Sequence, residues 1–131
     1  MIATPSRIVV VDDSPEFLSL VNDLVAPPAT VECFDSPDTT VDDIAVMHPS
    51  LVIIDLKLAG GSDGWQLLQQ CCRDERLASV PLVLCSADVR SLSEHADEIA
   101  ALANVRVLPK PFAIEEFEQL LASAVASSAA I

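Results

Sequence analysis

Leu51-Val52-Ile53-Ile54-Asp55 and Ile8-Val9-Val10-Val11-Asp12-Asp13 decide the fold. Each is a run of four aliphatic residues that stops at aspartate. A continuously apolar run, with no polar alternation, reads as a strand covered on both faces, as in a parallel sheet between helical layers. Leu82-Val83-Leu84-Cys85 repeats the pattern. Two weaker runs, Val31-Glu32-Cys33-Phe34 and Val105-Arg106-Val107-Leu108, each carry a charge, which suits strands at the sheet's edges.

The segments between these runs have helical periodicity and start signals. Ser14-Pro15-Glu16 offers a capping serine and a first-turn proline before Phe17, Leu20, Val21 and Leu24. Ser36-Pro37-Asp38 repeats the device before Val41, Ile44 and Ala45. Asp63 is expected to cap a third helix that turns Leu67, Leu68, Cys71 and Cys72 inward. Leu92, Ala96, Ile99 and Ala103 mark a fourth, and Ile114, Phe117, Leu121 and Val125 a fifth. The result is an α/β chain of (βα)5 form: a doubly wound, flavodoxin-like parallel sheet. With the charged strands outermost, its expected strand order is 2-1-3-4-5.

The 131 residues suit a single domain, 1–131, with a core over about 7–125 and a frayed tail at 126–131. The net charge of −13 repels a phosphate backbone and an anionic lipid surface, so neither nucleic acid nor membrane is an expected partner. No apolar run approaches the ~18 residues of a membrane span, and the opening residues do not read as a secretory leader. Cys33, Cys71, Cys72 and Cys85 form no C-x-x-C pair. They read as small buried or half-buried thiols of a cytoplasmic protein.

In an open α/β sheet the site lies past the carboxyl ends of the strands. Strand 1 ends in Asp12-Asp13, strand 3 in Asp55, strand 4 in Ser86-Ala87, and strand 5 leads to Lys110-Pro111. Three carboxylates, a hydroxyl and an ammonium therefore share one rim. Like charges held together call for a cation. Mg²⁺ (or Mn²⁺), a hard ion that takes oxygen ligands, fits.

These residues resemble a family. Val10-Val11-Asp12-Asp13-Ser14, Leu51 to Leu56, Ser86-Ala87 and Lys110-Pro111-Phe112 are similar to the marks of response-regulator receiver domains of two-component systems. The intervals of 42, 31 and 24 residues between Asp13, Asp55, Ser86 and Lys110 fit as well. The resemblance implies that Asp55 is a phosphoacceptor, served by a sensor histidine kinase or a histidine phosphotransfer protein, and that the chain signals to an output protein. It also implies Mg²⁺ held by Asp13, by Asp12 mainly through water, by Asp55 and by the backbone carbonyl of Lys57. Ser86 and Lys110 would bind phosphoryl oxygens, Ala87 would keep the phosphoryl group accessible, and Lys110–Pro111 would be a cis peptide. Lys57 and Asp88 would flank the site and tune the phosphoryl lifetime.

Three positions depart from the family pattern. Val107 stands where an aromatic switch is usual, Ala59 where proline is usual, and Gly60 to Gly64 forms a loop one residue longer than the common version. With Val107 unable to swing as a ring, signalling is expected to run through the loop after Ser86 and the start of the fourth helix. The departures leave a phosphorylation-independent pseudo-receiver as an alternative. A Mg²⁺-dependent phosphohydrolase would want a second aspartate two residues after Asp55, where Lys57 stands. Trp65 is expected to cover the seam between helix and sheet, His48-Pro49 to form a turn, and His95 to lie on a solvated helix face.

Overall fold

Arg7–Val11 forms β1, and the computed structural model pairs it with Thr30–Phe34 (β2) on one side and Leu51–Ile54 (β3) on the other. Leu82–Ser86 (β4) and Val105–Pro109 (β5) complete a parallel five-stranded sheet in the order β2-β1-β3-β4-β5. The structure describes residues 6–25, 27–35, 38–56, 64–102, 104–110 and 112–129, with the backbone alone at 89 and 124–129. β1, β3 and β4 are buried almost throughout, whereas β2 and β5 are largely half-buried or exposed. The charged runs therefore do sit at the edges.

Strand residues alternate between two cores. Ile8, Val10, Leu51, Ile53, Val83, Cys85 and Leu108 face one side. There they meet Phe17 and Val21 of α1 (Pro15–Leu24) and Phe117 and Leu121 of α6 (Ile114–Ala129). Val9, Val11, Val52, Ile54, Leu82 and Leu84 face the other. That side is covered by α2 (Val41–Ala45), α3 (Gly64–Arg73), α4 (Val89–Glu94) and α5 (Ala96–Ala100). The two-faced burial is what the unbroken apolar runs require.

The helix starts show which local signals prevail. Ser14 caps α1 as expected, its Oγ accepting from the Phe17 N–H at 3.3 Å. α2 starts later than Ser36-Pro37-Asp38 suggests. Its cap is Thr40, which accepts from the Asp43 N–H at 3.3 Å while Asp43 accepts from the Thr40 N–H at 3.0 Å. This reciprocal box satisfies two end donors at once; Ser36 and Pro37 lie outside the described residues. The expected fourth helix is two short ones, separated at His95, whose backbone (φ −102°, ψ 9°) leaves the helical region. α1 ends at Leu24, ahead of Pro27-Pro28, whose peptide is cis. α6 runs to Ala129, so helical backbone extends into the stretch expected to fray. Cys33 is exposed on the edge strand β2, not buried, while Cys71 and Cys85 are buried and Cys72 is half-buried.

Candidate functional site

Parallel register carries the polar residues to one rim. Val11 pairs with Ile54, and the Asp55 N–H continues that ladder by donating to the Val11 carbonyl at 3.0 Å. The Asp12 N–H donates to the Phe34 carbonyl at 3.1 Å, and the Lys110 N–H to the Ser86 carbonyl at 2.9 Å. Asp12, Asp55 and Lys110 share the parity of Ile8 and Val10, Leu51 and Ile53, and Leu108, so they leave the sheet on the α1–α6 side. Ser86 shares the parity of Leu82 and Leu84 and leaves toward α4.

Asp12 is 1% exposed. Its Oδ2 receives the Lys110 ammonium at 2.7 Å, and its Oδ1 accepts from the Ser14 N–H at 2.9 Å. The same ammonium lies 3.4 Å from Asp55 Oδ2. One carboxylate oxygen from each of Asp12, Asp13 and Asp55 falls within 4.8 Å of the others; Asp12 and Asp55 are buried and Asp13 is exposed. Burial alone would lower the Lys110 pKa. The Asp12 hydrogen bond and the charges of Asp12 and Asp55 outweigh it and hold the ammonium above its ordinary value. Beneath the rim, desolvation pushes the Cys85 thiol up to about 12, so it stays neutral and inert.

Ser86, 1% exposed, accepts from the Asp88 N–H at 3.1 Å through its Oγ. Asp88 in turn caps α4: Oδ1 accepts from the Ser91 N–H at 3.0 Å and Oδ2 from the Ser91 hydroxyl at 2.9 Å. The hydroxyl at the rim is thus joined to the start of α4. Ala87 is exposed beside it. Val107 faces outward on β5 at 38% exposure. Lys57, Ala59, Gly60 to Asp63 and Pro111 lie outside the described residues. So do the carbonyl ligand, the third helix's cap, the entrance pair with Asp88 and the cis peptide expected there.

Three participants have no clear mark in the sequence. Gly64 opens α3 with its N–H donating to the Leu56 carbonyl at 2.9 Å. A Cβ built on it would overlap the Asp55 carbonyl oxygen and lie 2.8 Å from the carbonyl carbon. Only glycine lets α3 approach the Asp55 backbone so closely. Phe17, which reads simply as the inner face of α1, lies under the Lys110 ammonium with the ring centroid 4.2 Å away. His95 is only partly solvated. It is half-buried and stacks on Trp65 at 4.2 Å with 16° between the rings, joining the start of α3 to the α4–α5 junction.

A family model described as "Response regulator receiver domain" matches residues 8–122. The chain belongs to that family. Receiver domains are signalling modules of two-component systems, and solved receivers share this fold at low identity. The receiver domain of a DNA-binding response regulator from Colwellia psychrerythraea aligns with TM-score 0.79 at 18% identity, over 92% of this chain and 98% of that one. A chemotaxis protein from Vibrio cholerae gives 0.75 at 16% identity, over 92% and 99%. The receiver domain of a sensor histidine kinase from Pseudomonas aeruginosa, described with a magnesium ion coordinated in its active-site cleft, gives 0.76 at 18%, over 94% and 99%. No curated protein matches the sequence. Among the described residues, no helix of this receiver is long and apolar enough to cross a membrane.

Proposed function

We propose that this receiver accepts a phosphoryl group on Asp55 from the phosphohistidine of a sensor kinase or phosphotransfer protein, and signals by a change at α4. The observation that carries the reading is the convergence of the Asp12, Asp13 and Asp55 carboxylates, with the Lys110 ammonium set against Asp12 and Asp55. The donor set suits Mg²⁺. It is all hard oxygen, one carboxylate is exposed so that waters can complete the shell, and the expected Lys57 carbonyl would add a further ligand. Bound there, Mg²⁺ would neutralise the carboxylates and the oxygens of the incoming group.

An Asp55 carboxylate oxygen attacks phosphorus, and the bond from phosphorus to the donor's imidazole nitrogen breaks with its electron pair left on that nitrogen. Lys110, held charged by Asp12, balances the phosphoryl charge. Phosphorylation recruits the Ser86 hydroxyl toward a phosphoryl oxygen, which draws on its bond to the Asp88 N–H and so on the cap of α4. Val107, exposed and without a ring, contributes little to this step. Backbone amide NMR with a phosphoryl mimic should show changes concentrated at residues 86 to 95 and small at Val105 to Val107. Large, uniform changes along β5 would overturn this route.

The phosphoacceptor reading is tested by intact mass with acetyl phosphate and Mg²⁺. The wild type should gain one phosphoryl mass and Asp55→Asn none, and undiminished labelling of Asp55→Asn would overturn the assignment. The non-aromatic Val107 favours a second reading, a pseudo-receiver that binds partners without phosphorylation. A wild type that takes no label would support it.

A further inference from the structure

We infer that Phe17 is a positioning residue for Lys110, its ring forming the third wall of the ammonium's seat. The inference rests on the phosphoacceptor reading of Asp55. Two sides of the ammonium are taken by Asp12 Oδ2 at 2.7 Å and Asp55 Oδ2 at 3.4 Å. The Phe17 ring face, 4.2 Å away, closes another. That ring is itself fixed. It stands edge-on to Phe112 at 6.0 Å and to Phe117 at 6.3 Å, and those two stack on each other at 5.5 Å. Phe112 is two residues beyond Lys110, so the cluster ties the lysine's own chain to α1.

A ring face suits a cation that has to change partners. It attracts the ammonium through its quadrupole and excludes water, yet it accepts no proton and makes no directional bond. A third carboxylate would trap the lysine against Asp12. An aliphatic wall would leave one side of the charge buried without compensation. Over the ring, the ammonium stays charged and is free to shift from Asp12 to a phosphoryl oxygen.

The chain has only two lysines, Lys57 and Lys110, so ¹³Cε-lysine labelling gives two signals, and Lys57→Arg identifies which is which. In the wild type the Lys110 ε-protons should lie upfield of their unfolded position because they sit over the ring. Phe17→Leu should return them toward that position and slow labelling by acetyl phosphate about threefold to tenfold. Phe17→Tyr should restore both. Leu121→Ala, which cuts the same core at the opposite end of the sheet, controls for core damage and should leave both unchanged. An unshifted Lys110 signal in the wild type, or a Phe17→Leu chain that loses the shift but labels at the wild-type rate, overturns the role. So does an equal slowing by Leu121→Ala. A wild type that shows the shift but takes no label would overturn the phosphoacceptor reading, and the role with it.

Discussion

The two ends of the sheet are built on opposite terms. At the carboxyl end of the strands the described residues place Asp12, Asp55 and Ser86, all buried, together with a half-buried lysine. At the amino end, Ser6, Ile8, Leu24, Val25, Pro28 and Leu121 help to line an almost wholly apolar groove of about 350 Å³. The first end holds buried charge, and desolvating an ion pair can cost more than its attraction returns. The second leaves apolar volume unfilled. Substitutions at the carboxyl end should therefore move stability and phosphorylation together, and those at the amino end stability alone.

The largest expected effect comes from Lys110→Met. It leaves the Asp12 carboxylate buried with the Ser14 N–H and no cation, which should cost about 3–5 kcal/mol in the absence of Mg²⁺. The urea midpoint should fall without a change in slope. Adding Asp12→Asn should recover most of that stability while labelling stays lost. If the double variant is no more stable than the single one, the pair does not govern this end of the molecule. Next comes Gly64→Ala. Its Cβ overlaps the Asp55 carbonyl, and separating α3 from β3 should cost about 1–3 kcal/mol. The rate of acetyl-phosphate labelling should drop as Asp55 shifts. An unchanged midpoint and rate would show that α3 yields freely.

Alkaline titration probes the same end. The Cys85 thiol is raised from 9.0 to about 12 by desolvation, and Lys110 is raised above 10.5. In each case the folded chain holds its proton more tightly than the unfolded one. Their stabilisation is complete below the unfolded pKa values and is lost as pH climbs through the folded ones. Stability should therefore decline from about pH 9 to about pH 12, and Cys85→Ala should flatten that slope. Cys71, also raised to about 12, should leave a remainder. The smallest effect belongs to the amino end. Ala29→Val, which adds two methyl groups to the groove, should raise stability by about 0.5–1 kcal/mol and leave the labelling rate within twofold. A change in that rate would break the division between the two ends.

Much of the carboxyl end was legible in the sequence because it depends on local pattern. Continuous aliphatic runs specify central strands, and a residue just past the end of such a strand lies on the rim. That logic located Asp12, Asp13, Asp55, Ser86 and Lys110. Helix starts were less so. Ser14-Pro15 and Ser36-Pro37 look alike, but Thr40 and Asp43 form the reciprocal box, and α2 begins there. The apolar spacing of Leu92, Ala96 and Ile99 continues across His95, so periodicity could not reveal the break between α4 and α5. Gly64 and Phe17 were illegible in their roles, because each is defined by a residue distant in the chain. The one is a gap against Asp55, the other a ring beneath Lys110.

The stack of Trp65 on His95 gives the molecule an optical property. The chain has one tryptophan and no tyrosine, so nearly all emission excited at the red edge of its absorption comes from a single indole. That indole is next in the chain to Gly64, which leaves no room for a Cβ against the Asp55 carbonyl, and its ring face is covered by an imidazole set between α4 and α5. An imidazole quenches indole light more strongly when it carries a proton, and less when the rings part. Fluorescence thus reports on the seam between α3 and α4 without an added dye, one residue from the glycine that lies against the backbone of Asp55.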